Sequence, residues 1–207
     1  LYRSGDFDLA GFIIGVVDRH NVIDGSRLAA SNVLVAFPSG GLQTNGYSLV
    51  REIWSLGKGR GASHDREVLD TSYGELDGTL GDALLAVHQS FLSPLEPYLG
   101  EINGIAHITG GGIPGNLSRL FTGPTEHLGA KINPQSWETP ATFNLIRRTG
   151  SVEEAEMFRA FNMGVGIIVA LDAERAQVLL EEQPQAWQIG EIFERSSDTE
   201  PVLGLPT

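Results

Sequence analysis

Three loops in this chain gather the small and polar residues that hold anions and orient ligand atoms. The first is Ser39-Gly40-Gly41-Leu42-Gln43-Thr44-Asn45-Gly46-Tyr47. Its glycines let the backbone approach a ligand, and the N–H groups opening the next helix favour negative charge. A tight strand-to-helix turn is the alternative reading of the same residues. The second loop is His107-Ile108-Thr109-Gly110-Gly111-Gly112, continuing into Pro114-Gly115-Asn116-Leu117. Successive glycines at a strand end, before a proline-led helix, suit a backbone nest for a phosphate or an oxyanion. His107 reads either as a ligand-facing group or as a satisfied core histidine. The third loop is Phe161-Asn162-Met163-Gly164-Val165-Gly166, where Asn162 either orients a ligand amide or caps a turn. Asp6 and Asp8 alternate about Phe7, as a metal or ammonium site needs and as exposed edge charges also do.

Other chemistries are excluded by what the chain lacks. It has no G-x-x-x-x-G-K-[ST] phosphate loop, no G-x-G-x-x-G after a strand and no G-x-S-x-G elbow. Its 5 histidines show no metal-binding spacing, so no metal ligand is assigned. With 0 cysteines, thiol nucleophiles, zinc–thiolate sites and disulfides are ruled out. The residues by themselves therefore point to a glycine-rich, phosphate-tolerant cleft and leave its reaction open.

The elements that position these loops follow from apolar patterning. Strands are expected at Phe7 to Val17, Val33 to Phe37, Ile102 to Ile108, Ala130 to Ile132, Gly164 to Leu171 and Trp187 to Phe193. Helices are expected from Asn45-Gly46 onward, at Asp82 to Phe91, Pro114 to Leu120, Thr142 to Arg148 and Ala173 to Glu182. Gly57 to Gly78 reads as a surface loop, Val152 to Phe158 as an acidic segment, and residues 196–207 as a loose polar tail. Strands and helices mix without strict alternation, which predicts an α+β fold with one mixed sheet flanked by helices. No repeat or internal linker is evident, so residues 1–195 are taken as one domain.

The 207 residues carry a net charge of −12, from 26 acidic and 14 basic side chains. That excess repels phosphodiester backbones and argues against a nucleic-acid partner. No apolar run approaches the roughly 20 residues that cross a bilayer, and no secretion signal opens the chain. The absence of Cys agrees with an intracellular, cytoplasmic protein. Because it opens on Leu1 and enters strand-like sequence at once, the chain is expected to be a fragment of something longer.

Taken together and in order, the motifs resemble the aminoimidazole ribonucleotide synthetases, the phosphoribosylformylglycinamidine cyclo-ligases. Gly5-Asp6-Phe7-Asp8-Leu9-Ala10-Gly11-Phe12 is similar to the family's G-D-[YF]-D-x-A-G-F, and Val22-Ile23-Asp24-Gly25 to the turn that follows. Thr44 to Leu49 resembles S/T-N-G-Y-S-L. Ile105 to Gly112 resembles I-A-H-I-T-G-G-G, Pro114 to Leu117 resembles P-G-N-L, and Phe161 to Gly166 resembles F-N-M-G-x-G. The resemblance spans nearly the whole chain. It implies the C-terminal domain of a two-domain, homodimeric ligase of purine biosynthesis, whose absent N-terminal half binds ATP and Mg2+. It also implies that formylglycinamidine ribonucleotide lies between the halves, that ATP phosphorylates its formyl oxygen, and that an amine nitrogen then closes the imidazole ring. This chain alone would then be inactive.

Under that resemblance His107, Asn45 and Gln43 are the candidate catalytic residues, with Thr44, Gly46, Thr109, Gly110, Gly111, Gly112, Asn116 and Asn162 binding substrate. Two positions depart from the family. Gln43 stands where His is usual, and a Gln is neither acid nor base near neutral pH. Gln89 stands where an Arg is often found, which removes a fixed positive charge. A diverged or non-catalytic member of the thiamine-phosphate kinase or selenophosphate synthetase type is the alternative.

Overall fold

The computed structural model describes residues 10–206. Six strands form one sheet: β1 (Val33–Pro38), β2 (Gly104–His107), β3 (Leu128–Ile132), β4 (Val165–Leu171), β5 (Trp187–Glu194) and β6 (Val202–Leu203). Their order across the sheet is β2-β4-β1-β5-β3-β6. Every pairing is antiparallel except β3 with β6, so the sheet is mixed and the α+β expectation holds.

Alternation along the strands supplies both faces of the sheet. Leu34 and Ala36 of β1 and Ile168 and Ala170 of β4 point into the larger core. There they meet helices α1 (Tyr47–Ile53), α3 (Leu80–Leu84), α5 (Gly112–Leu117), α6 (Ala141–Gly150) and α7 (Glu154–Ala160). Val35 and Phe37, with Ile167, Val169 and Leu171, point the other way. They are covered by Leu95 of α4 (Leu92–Leu95), by Tyr98, and by Ala176 and Leu179 of α8 (Ala173–Glu182). Strand β4 lies between β2 and β1 and is covered on both faces. Every one of its residues is therefore buried, which is why it reads as an unbroken apolar run.

Several expected elements differ from those formed. Residues 10–17 form no strand, and Phe12, Ile13, Ile14 and Val16 are almost fully exposed. A strand needs a neighbour to pair its backbone and cover its side chains, and none of the described strands serves. Asp6, Phe7 and Asp8 lie outside the described residues.

The expected surface loop between Gly57 and Gly78 contains a helix, α2 (Ala62–Leu69). Its Val68 and Leu69 pack on the larger core, after a left-handed glycine at Gly61 (φ 91°) turns the chain inward. Conversely, the helix expected over Asp82 to Phe91 stops at Leu84. Its start is fixed early by a capping box, Thr79 with Asp82. At its end Leu85 leaves helical geometry (φ −100°, ψ 14°), and the Tyr47 hydroxyl donates to the freed Leu84 O (2.6 Å).

The C-terminal residues are not a loose tail. Ala130 N–H donates to Pro201 O (2.8 Å), and β6 closes the edge of β3 in parallel register. Arg195 secures the intervening turn through Leu128 O and Thr199 O, both at 2.9 Å. Truncation after Thr199 is expected to lower folding stability by about 2 kcal/mol, from lost edge hydrogen bonds and the half-buried Val202 and Leu205. Urea denaturation of the two chain lengths checks this.

Candidate functional site

Sheet topology brings the three glycine-rich loops together. Strands β1 and β2 both run antiparallel to β4, with Pro38 paired to Val165 and His107 to Ile167. The loops leaving β1 and β2 and the loop entering β4 therefore share one end of the sheet. Backbone bonds stitch them there: Ser39 N–H donates to Gly164 O and Ile108 N–H to Gly166 O, each at 2.9 Å.

Two buried asparagines organise the loops. The Asn162 amide donates to Gly41 O (2.9 Å) and Leu42 O (3.2 Å), while its oxygen accepts from Gly164 N–H (2.9 Å). The Asn116 amide faces Gly112 O (2.8 Å), Thr109 O (3.1 Å) and Gly110 O (3.3 Å), and its oxygen accepts from the Thr109 hydroxyl (3.1 Å). Asn162 is 3% exposed and Asn116 4%, so both amide nitrogens are committed inside the protein. Gly112 is likewise buried, at φ 60°, with no room for a side chain beside the Phe158 carbonyl.

The remaining candidates face outward. Thr44, His107, Gly110 and Gly111 are exposed, and Asn45, Gly46 and Thr109 are half-buried. Asn45 lies against Gly110, where a Cβ would stand 3.2 Å from the Asn45 amide oxygen. The first and second loops thus form a continuous surface. A left-handed Gly46 (φ 82°) makes this possible, because its bare Cα lies on the face of the buried Phe161 ring.

Gln43 is turned away from that surface. It is 6% exposed, adopts a left-handed backbone (φ 60°), and donates from Nε2 to Ser39 O (3.1 Å). Its amide and the Phe91 ring both lie against Gly166, where a Cβ would come within 3.0 Å of Gln43 Nε2.

A segment that the sequence marked as helix crosses this end of the sheet instead. Between Leu85 and Phe91 the chain passes over the first loop, setting Ala86 against Gly41 and Gln89 against Gly40. His88 and His107 then meet edge to face, ring centroids 5.4 Å apart, and Phe91 stands 6.0 Å from His107. Partial burial, and then the charge of His88, hold the His107 imidazole below the usual histidine pKa. His88 is not among the candidates the sequence offers and Phe91 enters there only as the end of the expected helix; their packing on His107 depends on that helix stopping at Leu84.

Among the described residues no three His, Asp or Glu side chains are grouped as a metal ion requires. Two cavities of about 590 and 580 Å3 lie away from the loops, one lined by Asp65, Arg66 and Asp82, the other by Val17, Arg27 and Leu99.

Residues 29–202 match the family described as AIR synthase related protein, C-terminal domain. The chain belongs to that family. A phosphoribosylformylglycinamidine cyclo-ligase of Sorangium cellulosum is 40% identical to this AIR synthase-related domain over 200 residues, 93% of the chain and 55% of that protein. The protein of the same name from Desulfitobacterium hafniense is 41% identical over 175 residues, 84% of the chain and 48% of that protein. The chain thus spans about half the length of the curated relatives it matches. In fold it is similar to the hydrogenase maturation protein HypE, with a TM-score of 0.55 at 15% identity, covering 86% of this chain and 50% of that one. It is also similar to thiamine-monophosphate kinase from Stenotrophomonas maltophilia, with a TM-score of 0.52 at 12% identity, covering 90% and 54%. The family match covers the whole sheet but its last residue, Leu203.

Proposed function

We propose that this domain supplies the C-terminal half of a phosphoribosylformylglycinamidine cyclo-ligase site, working in purine biosynthesis in the cytoplasm. The observation that carries the reading is identity near 40%, along almost the whole chain, to proteins of that name, together with convergence of the three shared loops at one sheet end. The kinase-like and maturation-protein likenesses rest on fold alone and do not favour the alternative.

The substrate in this reading is formylglycinamidine ribonucleotide. Thr44, Asn45, Thr109 and the Gly110–Gly111 backbone form the surface that would hold its polar groups. Asn116 and Asn162 act as positioning residues, since their amides are spent on the loops. Gln43 contributes through the backbone of the first loop, by way of Ser39 O. In ring closure an amine nitrogen bonds to the formyl carbon, the phosphorylated formyl oxygen leaves as phosphate, and the nitrogen loses a proton. His107 is exposed, and its lowered pKa keeps it uncharged near neutral pH, the form able to accept that proton.

ATP and Mg2+ would be held mainly by an N-terminal half, in a homodimeric enzyme. No helix among the described residues is long and apolar enough to cross a membrane, and no nucleic-acid partner is proposed. The uncovered apolar side chains of Phe12, Ile13, Ile14 and Val16 are the surface such a half would bury.

The test is ATP-dependent formation of aminoimidazole ribonucleotide. This domain alone should be inactive, the protein carrying both halves should turn over, and His107→Ala in that protein should lower kcat by about 100-fold or more. A two-domain protein with ATP, Mg2+ and substrate that forms no product would overturn the reading.

A further inference from the structure

We propose that His88 is a positioning residue for His107: the edge-to-face contact of the two rings, backed by Phe91, orients the His107 imidazole and couples its charge to that of His88. The inference deepens the reading above and rests on it for any catalytic consequence. The contact itself is independent of it.

His88 is anchored before it touches His107. Its Nδ1 lies 2.8 Å from Gln89 O, and a carbonyl only accepts, so Nδ1 is the donor in that bond. Phe91 packs on both rings, with centroids 6.2 Å from His88 and 6.0 Å from His107. The three rings form a triangle whose third side is the 5.4 Å His88–His107 contact. Phe91 is pinned in turn by Gly166 at the start of β4, a position too close for any side chain. The triangle is therefore fastened to the sheet at both ends, through β2 at His107 and through β4 at Gly166.

The groups facing His107 are few. Strand β4 presents Ile167, its register partner, and the crossing segment presents His88 and Phe91. The one charge acting on His107 comes from His88, and it opposes protonation, as does partial burial. The sign follows. A folded-state pKa below the unfolded value means that folding excludes a proton here. The associated stability is present above about pH 6.5 and declines as pH falls through that value.

The experiment is imidazole Cε1–H NMR titration of this chain from pH 5 to 9, with resonances assigned by His107→Asn and His88→Gln. His107 in the wild type should titrate below the ordinary histidine midpoint and show a nuclear Overhauser contact to His88. His88→Phe keeps an aromatic edge and removes the charge, so the His107 midpoint should rise. His88→Gln should raise it similarly, with circular dichroism confirming that both variants fold. An unmoved midpoint in both folded variants would overturn the proposal. In the two-domain enzyme, the acid limb of kcat/KM should move upward with His88→Phe. If turnover survives His107→Ala while the NMR midpoint still responds to His88, the catalytic reading falls and the ring coupling stands. If the midpoint ignores His88, the coupling falls whatever turnover does.

Discussion

Alanine at Gly112 is expected to destabilise the domain by about 4 kcal/mol or more, because the added methyl group meets backbone that cannot step aside. Gly112 stands at φ 60°, a left-handed backbone that costs any L-residue other than glycine about 1–2 kcal/mol. The heavier contribution is steric. A Cβ would stand 1.8 Å from the Phe158 carbonyl oxygen, 2.8 Å from its carbon and 3.0 Å from Phe161 O. These are backbone atoms of helix α7 and of Phe161, the residue that follows it, and no rotamer change removes them. Relief requires α7 to move away from α5, and α7 carries the buried Met157 and Phe158 of the larger core. Gly115, three residues along the same short helix, is the internal control. Nothing lies within 4 Å of a Cβ there, and its φ is not left-handed. Gly115→Ala should stabilise by up to about 1 kcal/mol through helix propensity. Urea denaturation of the two variants should therefore give shifts of opposite sign. Equal, small destabilisation of both would show that α5 and α7 are not packed as described.

Loss of the Asn162 amide is expected to follow in size, at about 3 kcal/mol for Asn162→Ala. The side chain links three backbone groups of two different loops: Gly41 O, Leu42 O and Gly164 N–H. Leu42 and Gly164 are buried, so the groups left behind gain no water in exchange. Asn162→Asp separates bonding from shape. It keeps the acceptor for Gly164 N–H and nearly the same volume, but turns an oxygen toward two carbonyls. It should be at least as damaging as alanine, whereas a merely space-filling role would leave it mild. If the proposed cyclo-ligase reading holds, the same variants should lower turnover of the two-domain protein beyond their effect on stability, because the Ser39–Gly46 loop loses its side-chain tie to Asn162. Denaturation midpoints with matched activity measurements at a temperature where both variants remain folded make the comparison.

Much of this architecture is legible in local sequence. Strand β4 is recognisable because an unbroken apolar stretch after Gly164 suits a strand covered on two faces. Helix α8 begins and ends at the residues its periodicity indicates, Ala173–Glu182. The three loops stand out because glycines cluster at strand ends, and the co-occurrence of their motifs carries the family relationship. The departures share a cause. Asp82 to Phe91 has helical spacing, yet Leu85 leaves helical geometry, Tyr47 donates to the freed Leu84 carbonyl from 37 residues away, and Phe91 is drawn onto Gly166. The segment after Ser196 is polar and proline-bearing, yet β3 offers it an open edge. Residues 10–17 have strand composition, and composition supplies no pairing partner.

Residue types and their order thus determined that this is an α+β chain of its family and that its polar loops adjoin the ends of its strands. Only the tertiary structure decided which of those polar residues look outward. Gln43, Asn116 and Asn162 are as polar as Asn45 and Thr44, but antiparallel pairing of β1 and β2 against β4 folds the first three under the loops. Each buried amide nitrogen then donates to carbonyls of the loops, because an unpaired donor in the interior costs more than orienting the side chain. The same pairing, with the helix interrupted at Leu84, sets His88 beside His107, 19 residues away in sequence and 5.4 Å away in space.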